Sequence, residues 1–122
     1  MKKILVVDDS PVEQSNLKVI LKDYKLIFAN DGKEGLALFK KHQNNLCLIL
    51  CDQNMPHVDG IEFMSTVRNT NKEIPLVFMT SECGVELRDQ AVEAGADVWL
   101  IKPLNEDKVK LLVGQLFEKK VG

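Results

Sequence analysis

LCLILCDQNMPHVD, Leu46–Asp59, runs six apolar residues straight into a carboxylate, with a Met-Pro turn close behind. A short apolar run without polar alternation, closed by a turn signal, reads as a strand buried on both faces. Asp52 at its end could be a loop residue, a helix cap or part of a site. What ends the other apolar runs of the chain decides between these readings.

Four further runs have the same character: Ile4–Val7, Leu26–Ala29, Leu76–Met79 and Val98–Ile101. Between them the spacing turns helical. Leu17, Ile20, Leu21 and Tyr24 follow the i, i+3, i+4, i+7 pattern, as do Val109, Leu112, Val113 and Leu116. Ile61, Met64 and Val67 form a shorter stripe, and Leu87, Ala91 and Ala94 another, within a fourth helix spanning about Gly84–Ala94. Start signals agree. Ser10-Pro11-Val12-Glu13 supplies an N-cap, a first-turn proline and a capping-box glutamate, while Asp31…Glu34 and Asp59…Glu62 repeat the spacing with aspartate as the cap. Gly95 suits a left-handed helix stop.

Strand–helix alternation repeated five times predicts an α/β domain with a parallel sheet. Five strands are too few for an eight-stranded barrel, so the sheet is open, and open parallel sheets bind ligands beyond the carboxyl ends of their strands. Along that edge the first run ends on Asp8-Asp9, the third on Asp52, the fourth on Thr80 and the fifth on Lys102. The second, ending in Asn30-Asp31, is expected to contribute nothing, as an edge strand. Asp52 is thus aimed with four companions into one crevice.

Three crowded carboxylates raise one another's proton affinity unless a cation intervenes. Hard oxygen ligands of this kind suit Mg²⁺, which uses one or two carboxylates together with phosphate. The absence of cysteine and histidine at these strand ends argues against zinc. Lys102 adds a mobile positive charge and Thr80 a hydroxyl donor. No GxxxxGK[ST] loop is present, which argues against nucleotide binding of that kind. These parts suit a carboxylate that receives a phosphoryl group while metal and lysine absorb the charge.

The remaining composition narrows the class. At 122 residues the chain predicts a single domain, 1–122, with roughly two-thirds of its unfolded surface buried on folding. A net charge of −2 without a basic cluster argues against nucleic acid as the main partner. No segment approaches the ~18 apolar residues of a membrane span, and MKKILVVDD is too short a start for a signal peptide. Cys47 and Cys51, four residues apart on one strand, would stand about 13 Å apart, beyond disulfide reach. They are read as core thiols and Cys83 as an unassigned single thiol, in keeping with a reducing cytoplasm. His57 after Pro56 is read as a solvated loop residue, and His42 near a helix end as favouring the dipole there.

ILVVDDS, CDQNMPHVDG, VFMTSE and the Lys-Pro of LIKP, in this order and on these strand ends, resemble the receiver domain of bacterial two-component response regulators over about residues 2–119. The resemblance implies a flavodoxin-like, doubly wound, five-stranded sheet of order 2-1-3-4-5 with five helices, and a cis Lys102–Pro103 bond. By position, Asp52 resembles the phosphoryl acceptor. Asp8 and Asp9 resemble the acidic pair that holds Mg²⁺, and Asn54 the residue whose main-chain carbonyl joins them. Thr80 resembles the switch hydroxyl and Lys102 the lysine that pairs with the phosphoryl group. Glu82 and Asn54 stand where the family tunes loss of that group, and suggest a short-lived phosphoaspartate. The family usually has tyrosine or phenylalanine three residues before the lysine. Here it is Trp99, a larger ring read as a switch or partner-contact aromatic.

The expected function is a cytoplasmic phosphorylation switch rather than a turnover enzyme. It would take its phosphoryl group from a sensor histidine kinase or phosphotransfer protein and pass the signal to a target on the face formed by the fourth helix, fifth strand and last helix. Chemotaxis control, phosphorelay shuttling and allosteric control of an enzyme are all open outputs. The alternatives are a receiver piece of a longer regulator, a constitutive binding module, and a phosphatase of the haloacid-dehalogenase type. The phosphatase would want an acid where Asn54 stands.

Overall fold

The computed structural model describes residues 2–121 apart from Cys83, with side chains as far as Phe117. Met1, Cys83 and Gly122 lie outside the described residues. Five strands form one sheet: β1 Lys3–Val7, β2 Lys25–Ala29, β3 Leu46–Asp52, β4 Leu76–Thr80 and β5 Val98–Ile101. All neighbours are parallel, in the order β2-β1-β3-β4-β5 that the resemblance implies. The helices are α1 Pro11–Ile20, α2 Gly32–His42, α3 Gly60–Thr70, α4 Val85–Ala94 and α5 Glu106–Val121. Asp52 and Thr80 are the last residues of their strands rather than the first beyond them.

Both faces of the sheet are covered, which is why the strands read as unbroken apolar runs. Leu17 and Leu21 at α1, with Val109 and Val113 of α5, pack on Ile4, Val6, Leu48, Leu50 and Val77. On the other face Phe39 of α2, Phe63, Met64 and Val67 of α3, and Ala91 and Ala94 of α4 pack on Leu5, Val7, Ile49, Cys51 and Phe78. The strands thus send alternate residues to opposite cores.

β3 breaks this alternation once. Lys3 pairs with Leu46 but Ile4 with Leu48, so β3 carries one extra residue at this point. Cys47 and Leu48 both face the α1–α5 side, and Cys51 faces the other. The thiols are therefore separated by the sheet itself, not merely by distance along one face. A bulge re-aims the side chains beyond it. It is the shift that turns Cys51, rather than Leu50, toward α3.

Local signals fix the helix starts. Ser10 Oγ accepts from Glu13 N at 3.2 Å, Asp31 Oδ1 from Glu34 N at 2.7 Å, and Asp59 Oδ1 from Glu62 N at 2.9 Å. α4 starts differently. Its N-cap, Gly84, has no side-chain bond to give, and only Ala91 and Ala94, near its far end, are buried. That far end is tied down by Arg68 of α3, which donates to Gly95 O at 2.6 Å, Ile74 O at 2.8 Å and Asp97 Oδ2 at 3.1 Å. Asp97 Oδ2 also accepts from Leu76 N at 2.9 Å. Among the described residues no helix is long and apolar enough to cross a membrane.

Gly60, the first residue of α3, lets this helix close on the end of β3: a Cβ there would lie 2.5 Å from Asp52 O and 2.9 Å from Gln53 Cα. Neither neighbour is a flexible side chain that could step aside. Gly60→Ala is expected to destabilise the domain by about 1–3 kcal/mol, the usual cost of overpacking. The check is a lower urea midpoint with an unchanged m-value.

Candidate functional site

The carboxyl ends of β1, β3 and β4, and the residue after β5, meet at one rim of the sheet. Asp8 follows β1 and is wholly buried, with Oδ1 accepting from Ser10 N at 2.9 Å. Asp52 is 4% exposed. Lys102 reaches from beyond β5 to bridge the two: its Nζ lies 2.9 Å from Asp52 Oδ1 and 3.2 Å from Asp8 Oδ2. Asp9 is exposed, yet one carboxylate oxygen each from Asp8, Asp9 and Asp52 lie within 4.8 Å of one another. The Lys102–Pro103 bond is cis.

Burial pushes the Asp52 carboxyl above its ordinary range. The hydrogen bond from Lys102 pulls it back, Asp8 and Asp9 push it up again, and the balance stays raised. Burial works against the Lys102 ammonium, but Asp52 and Asp8 outweigh it and hold the lysine above its usual value. Burial, then Asp52 and Asp8, drives the Cys51 thiol well up, so it stays protonated beside the site. Three carboxylates against one ammonium leave two negative charges uncompensated. The Asp52 proton affinity stays raised even with an ammonium at 2.9 Å. A set of hard oxygens short of two positive charges fits a divalent cation such as Mg²⁺.

The other anticipated residues stand further back. Thr80 is fully buried, and its Oγ1 accepts from Glu82 N at 3.0 Å rather than from Lys102. The main chains of the two strand ends are joined instead, by Lys102 N donating to Thr80 O at 2.8 Å. Glu82 is exposed, as is Asn54 two residues beyond Asp52. Trp99 is half-buried, its ring edge-on to Phe78 with centroids 5.3 Å apart. His57 is exposed in the loop, with φ of 68°.

One expectation needs correcting. The end of β2 is not idle: Asn30 Oδ1 accepts from Gln14 Nε2 at 3.0 Å, and the same nitrogen donates to the main-chain oxygen of Asp8 at 2.7 Å. Glu34 Oε1 in turn accepts from Asn30 N at 2.8 Å. The sequence offers no signal for Gln14. It lies inside a helix, six residues past Asp8, in no strand-end motif.

The family model for the response regulator receiver domain matches residues 4–113. This chain belongs to that family. Receiver domains are phosphorylation-dependent signalling modules, and they bind Mg²⁺ at an acidic pocket of the kind that Asp8, Asp9 and Asp52 form here. The domain is 36% identical over 92% of its length to the transcriptional regulatory protein ZraR of Klebsiella oxytoca, and 33% identical over 88% to the sensor histidine kinase RcsC of Escherichia coli. It spans only 25% and 11% of those proteins. Among solved structures, the chemotaxis protein CheY4 of Vibrio cholerae is 32% identical with a TM-score of 0.86, covering 95% of this chain and 98% of that one. CheY in the CheX–CheY–BeF3–Mg complex of Borrelia burgdorferi is 28% identical with a TM-score of 0.88, covering 95% and 89%.

Because Asp52 holds a proton more tightly in the folded receiver than in the unfolded chain, its ionised form opposes folding. The stabilisation due to its proton is complete below the ordinary carboxylate range and disappears as pH rises through the raised value. Asp52→Asn should therefore melt above the native domain at neutral pH without divalent ions. That gap should shrink toward about pH 4, the ordinary aspartate range. Adding Mg²⁺ should raise the native midpoint more than that of the variant. Thermal melts with Mg²⁺ and with a chelator check both signs.

Proposed function

We propose that Asp52 accepts a phosphoryl group from a phosphohistidine on a sensor histidine kinase or phosphotransfer protein, and that the domain relays this event to a protein target. The observation that carries the reading is the buried Asp52 carboxylate, held by Lys102 at 2.9 Å inside the Asp8–Asp9–Asp52 cluster. In the transfer an oxygen of Asp52 forms a bond to phosphorus, the donor's N–P bond breaks, and the imidazole leaves with its electron pair. Asp8, Asp9 and Asp52, with the main-chain carbonyl of Asn54, are the groups that would hold Mg²⁺. When bound, the ion supplies positive charge to the phosphoryl oxygens. Lys102 fixes the orientation of Asp52 beforehand and afterwards keeps a charge-assisted bond to the phosphoryl group.

The second bond comes from Thr80, whose hydroxyl turns from Glu82 N toward the phosphoryl group. Two hydrogen bonds to a charged group contribute about 3–6 kcal/mol. That is comparable with the ~5.5 kcal/mol that carries a two-state element from 1:99 to 99:1. Moving Thr80 pulls on the segment leading to Gly84, where α4 has no side-chain cap. Val85 and Val92 of α4, Ile101 of β5 and Leu111 of α5 are exposed apolar residues, which supports a protein-binding output on these three elements, with Trp99 beside them. Glu82 and Asn54, both exposed, would tune attack by water and hence the lifetime of the phosphoryl group. The domain so described promotes its own phosphorylation and dephosphorylation, has no external substrate to turn over, and works in the cytoplasm without binding nucleic acid itself. Residues 1–122 are one receiver unit, whether free-standing or part of a longer regulator.

Incubation with acetyl phosphate should add the mass of one phosphoryl group only when Mg²⁺ is present, and Asp52→Ala should abolish the gain. Steady release of phosphate from unrelated monoesters without a mass change would overturn the proposal in favour of a phosphatase. In the same experiment the native domain should change its Trp99 emission on phosphorylation, whereas Thr80→Ala should keep the mass gain but lose that change. Equal emission changes in both would remove Thr80 from the relay.

A further inference from the structure

We infer that Gln14 is a positioning residue that holds the Asp9 carboxylate in the divalent-cation site, through the peptide plane between Asp8 and Asp9. This deepens the function proposed above and rests on its reading of the acidic cluster as a cation site. Asp9 is the weakly held member of the cluster. It is exposed, and among the described residues its side chain has no hydrogen-bond partner. Asp8, by contrast, is buried and held by Ser10 N and Lys102. What places the Asp9 carboxylate is therefore its backbone. The carbonyl of Asp8 and the N–H of Asp9 belong to one rigid planar unit. Fixing Asp8 O therefore fixes the direction in which the chain leaves toward the Asp9 Cα.

Two anchors set that direction. On the strand side, Asp8 N donates to Ala29 O at 3.0 Å. On the far side of the residue, Gln14 Nε2 donates to Asp8 O at 2.7 Å and to Asn30 Oδ1 at 3.0 Å. A primary amide nitrogen has two hydrogens, and both are used. The second acceptor keeps the amide from rotating off the first, and Asn30 is itself held by Glu34 through its own N–H. The brace thus runs from the start of α2 through the tip of β2 to the turn bearing Asp9. An edge strand that brings no ligand still takes part in the site.

The brace also accounts for a glutamine on the site-facing side of α1. A glutamate there has the same shape but no hydrogen to give to a main-chain carbonyl. An alanine keeps the helix and drops the contact. These two variants separate the hydrogen bond from helix propensity and from bulk.

The test compares the native domain with Gln14→Ala, Gln14→Glu, Asn30→Ala and the Gln14→Ala/Asn30→Ala pair, by amide exchange without divalent ions and by calorimetric Mg²⁺ titration. Losing one hydrogen bond should speed exchange of the Ser10 amide and weaken Mg²⁺ binding by about fivefold each in Gln14→Ala, while the Leu5 and Val7 amides of β1 keep their protection. Gln14→Glu should weaken Ser10 protection at least as much. Asn30→Ala should have a smaller effect, and the double variant should bind Mg²⁺ no more weakly than Gln14→Ala alone, since the two residues act in series.

An unchanged Ser10 amide or an unchanged Mg²⁺ affinity in Gln14→Ala overturns the inference. So does equal acceleration of Ser10, Leu5 and Val7, which would mark a general loss of stability. A native domain without Mg²⁺ affinity overturns it as well. Transfer from acetyl phosphate is followed alongside. If Asp52 takes no phosphoryl group while the Gln14 effects appear, the functional reading falls and the brace stands. If Asp52 is phosphorylated while Gln14→Ala behaves as native, only the brace falls.

Discussion

One ammonium serves two buried carboxylates that belong to other strands. Lys102 leaves the chain after β5, and the Asp52 and Asp8 oxygens it meets, at 2.9 and 3.2 Å, lie at the ends of β3 and β1. In the order β2-β1-β3-β4-β5, the lysine must pass over the tip of β4 to do so, a span of two strand spacings to β3, or about 10 Å. A long unbranched stem ending in a compact charge suits that reach. Thr80 sits beneath the crossing, and Lys102 N is hydrogen-bonded to its carbonyl. A change of charge or size on Asp52 therefore reaches β4 and β5 through the side chain and the main chain of a single residue.

The same arrangement leaves the site electrically unfinished. Lys102 offsets one of three negative charges, and burial first, then the neighbouring Asp8 and Asp9, keeps the proton affinity of Asp52 raised. A fully matched set of charges would make a more stable domain and a poorer cation site. Nearby Cys51 is harmless in this setting: burial and the neighbouring aspartates keep its thiol protonated and unreactive.

Much of the fold was legible because strands covered on both faces leave continuous apolar runs, and because capping residues announce their helices in three-residue spacings. The rim was legible for a related reason: Asp8, Asp52, Thr80 and Lys102 are the first polar residues after such runs. What stayed hidden depends on features that pattern does not encode. The extra residue in β3 was invisible because a strand apolar on both faces shows no alternation to break, so nothing in the sequence separates the faces of Cys47 and Cys51. Gln14 and Asn30 lie sixteen residues apart, on a helix and a loop, and meet only because β1 and β2 are adjacent. Arg68 and Asp97 pose the same problem over a longer separation, |i−j| = 29.

The contact made by Arg68 matters for how far a change at the rim can travel. α4 is held unevenly along its length. At its end, Gly95 adopts φ of 103°, and its carbonyl takes a 2.6 Å hydrogen bond from Arg68, so closely that a Cβ on Gly95 would lie 2.6 Å from the arginine Nε. Ala91 and Ala94 are buried there. At its start there is neither side-chain cap nor buried residue, and Leu87 alone is half-covered. Elements with few buried contacts and exposed hydrogen bonds open first. The loosely held end is the one joined to Thr80 and Glu82, whereas the end clamped by Arg68 lies at the opposite rim, where β4 and β5 begin. A helix loose at one end and pinned at the other turns a small displacement of the loop into a tilt rather than a translation. Val85, in the first turn and 74% exposed, then moves farther than Val92 near the pin.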